Sequence, residues 1–221
     1  QVLEAHISAS PNRFRGIRHS ATWDSSGALR NEALPGLLAD VNFRKGFARL
    51  GKLGLSFDAW VYHPQLCEIA ELARAFPNVT IVLNHIGAPL GVGPYAGKRD
   101  EVYQSWSQGI AQIATCPNVT VKLGGVGSER SGYGWHERAV KPSSEELCGI
   151  LKPYFDWCIE KCGAHRCMLE SNFPVEKRAN SYLVLWNAFK KLTRSYSATE
   201  RAALFYDTAC RVYRIGGSVA A

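Results

Sequence analysis

The chain is poor in several things, and each shortage narrows the reading. It holds a single methionine, Met168, and begins with Gln1, so no initiator is present. A processed or partial chain is expected, although artificial trimming would leave the same sign. No apolar run approaches the roughly 18 residues of a membrane span, and no signal-peptide pattern occurs in the first residues. The sequence is therefore read as cytoplasmic, with no membrane partner. The net charge of +7 comes without a polybasic run or an aromatic–basic motif. That argues against nucleic acid and leaves a weak pull toward anionic small molecules. The seven cysteines include no Cys-x-x-Cys pair; Cys158, Cys162 and Cys167 are spaced by four and five. Reduced, mostly buried thiols account for them better than a zinc cluster. The glycines between Gly87 and Gly97 do not run into a helix with dinucleotide spacing, so a phosphate cradle is not favoured. The sequons at Asn78 and Asn118 fall at strand starts and are discounted.

What is present is enough for one domain over residues 1–221. Apolar and β-branched runs alternate with stretches of helical spacing. Strands are expected at Phe14–Ser20, Leu55–Tyr62, Thr80 to His85, Val119–Gly125 and Arg166–Pro174. Helices are expected at Val2–Ser10, Val41–Leu50, from His63-Pro64 to Ala75, Arg99–Ala114, Ser143–Cys162, and from Asn180 to Ile215 with a break near Ser195–Ser197. Phe76-Pro-Asn-Val-Thr-Ile-Val and Cys116-Pro-Asn-Val-Thr-Val-Lys form a weak echo 40 residues apart. This alternation is the pattern of βα units around a parallel sheet.

In such a fold the chemistry collects at the carboxyl ends of the strands. The strand ends here offer Arg18 and His19, then Asp58, Trp60 and His63, then His85, then Lys122, then Glu170 and Asn172. Packing alone would not require that set. Because strand residues i and i+2 share a face, Glu170 and Asn172 should point the same way, with Glu170 about 7 Å deeper. The plainer alternatives are a satisfied core histidine at His85 and ordinary polar filling, for example a Lys122–Glu170 pair.

At these residues the chain resembles a family. Asn-His-Ile-Gly-Ala-Pro at His85, Val-Lys-Leu-Gly-Gly at Lys122 and Glu-Ser-Asn-Phe-Pro at Asn172 are similar to the amidohydrolase-related TIM-barrel hydrolases of the amidohydrolase superfamily. That group includes 2-pyrone-4,6-dicarboxylate lactonase and L-fuconolactonase. The resemblance runs from Arg15 to the C-terminal helices. It implies a (β/α)₈ barrel, incomplete here, with about five parallel strands and outer helices. The family opens its barrel with a His-x-His strand, which this chain lacks. By resemblance, Gly-Ile-Arg would be the fourth strand, and three strands would precede Gln1. The first strand would then be an edge covered by a longer chain or a partner, a second copy of this chain included. The family usually carries Asp where Asn172 stands, and a neutral amide is no general base.

The resemblance implies a hydrolase acting on a lactone or a similar carbonyl or carboxylate small molecule. The expected catalytic residues are His85, Asn172 and Glu170. Arg18, Asp58, Lys122 and His63 are expected to bind an anionic substrate, with Arg18 as a planar fork for a carboxylate. No metal ligand and no cofactor are expected; a zinc ion would need the absent His-x-His. Two alternatives stay open. One is a decarboxylase of the same family, recognised by carbon dioxide release. The other is a barrel remnant that binds a ligand or partner without catalysis.

Overall fold

The computed structural model describes residues 1–216; residues 217–221, assigned above to the same domain, lie outside the described residues. Five strands form one sheet: β1 (Gly16–Ser20), β2 (Ser56–Trp60), β3 (Ile81–Leu83), β4 (Val119–Leu123) and β5 (Cys167–Leu169). Their order is β1-β2-β3-β4-β5, and every pair is parallel. The intervening helices are α1 (Val2–Ala9), α2 (Val41–Leu53), α3 (Leu66–Ala75), α4 (Arg99–Ala114), α5 (Ser144–Cys162), α6 (Tyr182–Leu192), α7 (Ala198–Ala202) and α8 (Thr208–Tyr213). The architecture is α/β, a five-strand arc of a TIM-type barrel, as the sequence led us to expect. Among the described residues, β1 and β5 each pair on one side only. No described helix is long and apolar enough to cross a membrane.

Local chemistry sets the element ends. The Asp40 carboxylate accepts from Phe43 N at 2.8 Å and caps α2, satisfying one of its free amides. The helix runs through Gly51, past the expected end at Leu50, and stops at Gly54, whose φ of 63° suits glycine. The Ser143 hydroxyl accepts from Glu146 N at the start of α5, and Glu145 and Glu146 complement the positive end of that helix.

The sheet's alternation separates core from site. Phe57, Ala59, Ile81, Leu83, Val119, Val121, Leu123 and Cys167 are buried in the helix-facing core. The opposite parity puts Arg18, Asp58, Thr120 and Lys122 on the inner face. The strands are shorter than expected: β3 stops at Leu83, two residues before His85, and β4 at Leu123. β5 ends at Leu169 rather than near Pro174. Glu170 still donates its N–H to Leu123 O at 3.1 Å, but the chain then turns, and Asn172 has a φ of 51°. The i, i+2 rule therefore does not carry from Glu170 to Asn172, because the backbone between them is no longer extended.

Candidate active site

His85 leaves β3 on a left-handed turn. It has a φ of 55°, and Ile86 follows at 51°. For side chains bearing a Cβ this conformation costs roughly 1–2 kcal/mol per residue. Tertiary bonds hold it: Ile86 is fully buried, and Trp106 Nε1 donates to Ile86 O at 2.7 Å. Strain kept in place by its surroundings is a mark of functional positions.

The imidazole is engaged on both nitrogens. Nδ1 lies 2.5 Å from Glu170 Oε1, and Nε2 lies 3.4 Å from Arg18 Nη2. A guanidinium can only donate, so Nε2 accepts and Nδ1 carries the proton toward Glu170. The Trp60 ring meets the imidazole edge-on with centroids 4.7 Å apart. His85 is thus a neutral histidine with a lone pair on Nε2 and a carboxylate behind it. Glu170 lies directly on Nδ1.

Asp58 and Lys122 form the second group. Asp58 Oδ2 accepts from Lys122 Nζ at 2.8 Å, from Tyr213 Oη at 2.8 Å and from Asn84 Nδ2 at 3.1 Å. The lysine thus pairs with Asp58, and Glu170 with His85; the alternative Lys122–Glu170 pair is not formed. Tyr213 reaches this face from the end of α8, with Lys122 Nζ 5.2 Å from its ring centroid. Burial, then the Asp58 and Glu170 carboxylates, push its phenol well up.

The remaining expected residues lie elsewhere. His63 sits in a separate polar cluster made by the loops after β1, β2 and β3. Its Nδ1 accepts from Leu90 N at 3.4 Å, and its ring meets Tyr95 at 5.1 Å. Tyr95 Oη in turn donates to Asp24 Oδ2 at 2.6 Å. Asn172 faces the turn that follows it, where its backbone carbonyl accepts from Glu176 N at 3.2 Å.

Four residues that shape this region were not singled out in the sequence. Tyr213 belongs to the last helix, Glu176 follows the expected end of the fifth strand by two residues, and Asn84 was quoted only as part of the His85 motif. Arg130 lies in the long loop after β4, with its guanidinium 5.8 Å from the Trp60 ring centroid. None of the four carries a spacing signal; only the fold brings them here.

His63 makes a pH prediction. Burial pulls it down to about 4, against the opposing charge of Asp24. An unperturbed histidine titrates near 6.5. Between those values the unfolded chain binds a proton that the folded chain refuses. Stability should therefore be complete above about pH 6.5, fall toward pH 4 and level off below it, by about 3 kcal/mol in all. Urea unfolding at about pH 7 and about pH 5 should show a loss near 2 kcal/mol in the parent that is absent in His63→Gln. An equal loss in both would refute this.

A zinc ion, which the family resemblance raises, does not fit these donors. His85 is occupied by Glu170 and Arg18, and the candidate oxygen of Asp58 already accepts from an ammonium, an amide and a phenol. A cation placed there would face Arg18 and Lys122. Among the described residues no group of three histidine, cysteine or acidic side chains is arranged to hold a metal.

Comparison with known proteins places this geometry in a family. The amidohydrolase family model matches residues 3–215. The uncharacterized protein y4mH of Sinorhizobium fredii is 36% identical over 214 residues, covering 97% of this chain and 65% of its own length. The chain thus spans just under two thirds of that relative. An L-fucono-1,5-lactonase of Burkholderia multivorans is 27% identical, covering 97% of this chain and 68% of its own length. A crystal structure of an amidohydrolase from Burkholderia multivorans superposes with a TM-score of 0.79 at 23% identity, covering 96% of this chain and 69% of that one. A structure described as a putative 2-pyrone-4,6-dicarboxylic acid hydrolase from Pseudomonas putida gives 0.62 at 24% identity, with 90% and 63% covered. These last two likenesses concern the fold. With a family model matching nearly its whole length, the chain belongs to the amidohydrolase family.

Proposed function

We propose that the protein hydrolyses a lactone bearing a carboxylate or a comparable anionic group. The carrying observation is the line Glu170–His85–Arg18, which sets a carboxylate, a neutral imidazole and a guanidinium in sequence. Once the Arg18 guanidinium turns from His85 Nε2 to the anionic group of the substrate, Nε2 takes a proton from water as the water oxygen attacks the lactone carbonyl carbon. Glu170 stabilises the resulting imidazolium, as in other carboxylate–histidine pairs. The ring C–O bond then breaks, and the imidazolium returns its proton to the leaving oxygen. Lactone and water become a hydroxy acid, and no metal enters the balance.

Arg18 supports the anionic substrate. It is exposed in the middle of β1, and no carboxylate pairs with it among the described residues. Arg130, 5.8 Å from the Trp60 ring centroid, offers a second cation near the same mouth. A planar fork binds a carboxylate in two parallel hydrogen bonds. The L-fucono-1,5-lactonase relative and the 2-pyrone-4,6-dicarboxylic acid hydrolase neighbour suggest the panel to try: sugar 1,5-lactones and carboxylated pyrones. Asp58 and Lys122 line the inner face and complete the polar wall. In this arrangement they satisfy each other.

The test is acid release from that panel by the full-length protein. Arg18→Met should raise KM for a carboxylated lactone about 10- to 100-fold, the range for losing a charged hydrogen-bond partner, with kcat changed far less. Equal loss for neutral and carboxylated lactones would remove Arg18 from substrate binding. Carbon dioxide release from a candidate acid, without lactone hydrolysis, would replace this reading with a decarboxylase.

A further inference from the structure

Glu176 is a carboxylate that the proposed chemistry does not use. It sits in the turn after β5 and is 2% exposed. Its Oε1 accepts from Gly127 N at 2.9 Å, across the gap between the loops that follow β5 and β4. Asn180 Nδ2 reaches Oε2 at 3.4 Å. Burial pushes this carboxyl up, and the bonds from Gly127, Asn172 and Asn180 only partly restrain it.

The loop it holds is Gly124-Gly125-Val126-Gly127, and its glycines lean on the residues of the site. A Cβ on Gly124 would lie 2.3 Å from Glu170 O and 2.5 Å from Glu170 Cγ. One on Gly125, at a φ of 74°, would lie 2.4 Å from both Cγ and Nδ1 of His85. One on Gly127 would lie 2.3 Å from Glu176 Oε2. The loop backbone is thus a wall against the side of the imidazole that faces Glu170. Glycine is the most mobile residue in a chain, so such a wall needs an anchor. Val126, 4% exposed in the core, anchors one side, and the Glu176 bond anchors the end.

We propose that Glu176 is a positioning residue for the His85–Glu170 pair, acting through the glycine wall 124–127. The proposal rests on His85 being the site's base. Glu176 touches no reacting atom. It supplies an acceptor for Gly127 N–H, and a glutamine carbonyl can supply the same acceptor.

The test reads His85 directly. In protein labelled with ¹⁵N-histidine, the His85 ring resonances are assigned by their loss in His85→Asn. Glu176→Ala should shift or broaden them, and Gly127→Ala should do the same by displacing the carboxylate. Glu176→Gln should leave them in place. With an accepted substrate, Glu176→Ala should lower kcat about 10- to 100-fold, the scale of a misplacement near 1 Å. KM should stay within about threefold, and Glu176→Gln should restore most of the rate. The resonances report without any substrate, so a failed lactonase reading does not affect them. Unchanged resonances in both alanine variants would overturn the proposal, as would Glu176→Gln behaving like Glu176→Ala. Unfolding of both alanine variants would assign the bond to the fold instead of the site, and would overturn it too.

Discussion

Replacing His85 by Asn is expected to lower kcat/KM at least about 100-fold, the size usual for removing general acid–base help. The substitution is chosen to isolate the chemistry. Asn is tolerated in the left-handed conformation that His85 adopts at a φ of 55°. Its side-chain amide can still approach Glu170, so the turn after β3 and the buried Ile86 behind it should hold. The loss is the lone pair on Nε2 and the ability to carry a proton from water to the leaving oxygen. The loss should fall on kcat and kcat/KM together, because this interaction is made only as the proton moves. An activity equal to the parent, with unchanged thermal stability, would place the site elsewhere.

Glu170→Gln is expected to be nearly as severe, about 10²–10⁴-fold in kcat by comparison with other carboxylate–histidine pairs. Glu170 Oε1 lies 2.5 Å from His85 Nδ1, and both side chains are mostly buried, 16% and 7% exposed. In a water-poor pair a carboxylate holds the imidazolium far better than an amide can. Glutamine also presents an N–H₂ that can force the other tautomer, with Nδ1 accepting and Nε2 protonated. That tautomer cannot take a proton from water. Substrate affinity should change little, since Glu170 stands behind the ring and away from Arg18. Parent-level turnover in both Glu170→Gln and His85→Asn would remove the pair from the mechanism. A large loss in His85→Asn with none in Glu170→Gln would leave the histidine acting without an orienting carboxylate.

Much of the fold was legible because its signals are local. The runs at Phe57, Ile81 and Val121 are rich in β-branched or aromatic residues at strand length, and the run at Cys167 is apolar. The stretches from Leu66 and Leu147 repeat at helical spacing. Short-range chemistry of that kind survives without knowledge of the partner. Strand ends were less legible. β5 was expected to run on to Pro174, since Glu-Ser-Asn-Phe-Pro follows an apolar run without a break. What stops it is the partner strand. β4 gives way to Gly124-Gly125, so beyond Leu169 the ladder has nothing to pair with except the single bond from Glu170 N. Asn172 then turns with a positive φ and faces Glu176 instead of the mouth.

The sequence by itself determined the parallel order of five strands, the family, and the position of His85 close to the carboxyl end of β3, two residues past its last strand residue. It also determined which residue types stand at the other ends, because period-two alternation assigns each strand residue a face. Only the tertiary structure decided who pairs with whom. Asp58 takes Lys122, Tyr213 and Asn84, while Glu170 takes His85 and, among the described residues, leaves Arg18 without a carboxylate. Charge and spacing allow either pairing of two acids with a lysine and a histidine. Register across the sheet, the left-handed turn at His85 and the close approach of the glycine wall select one. The same holds for Glu176, an ordinary acid in the sequence, which only the fold carries into the interior, to the end of that wall.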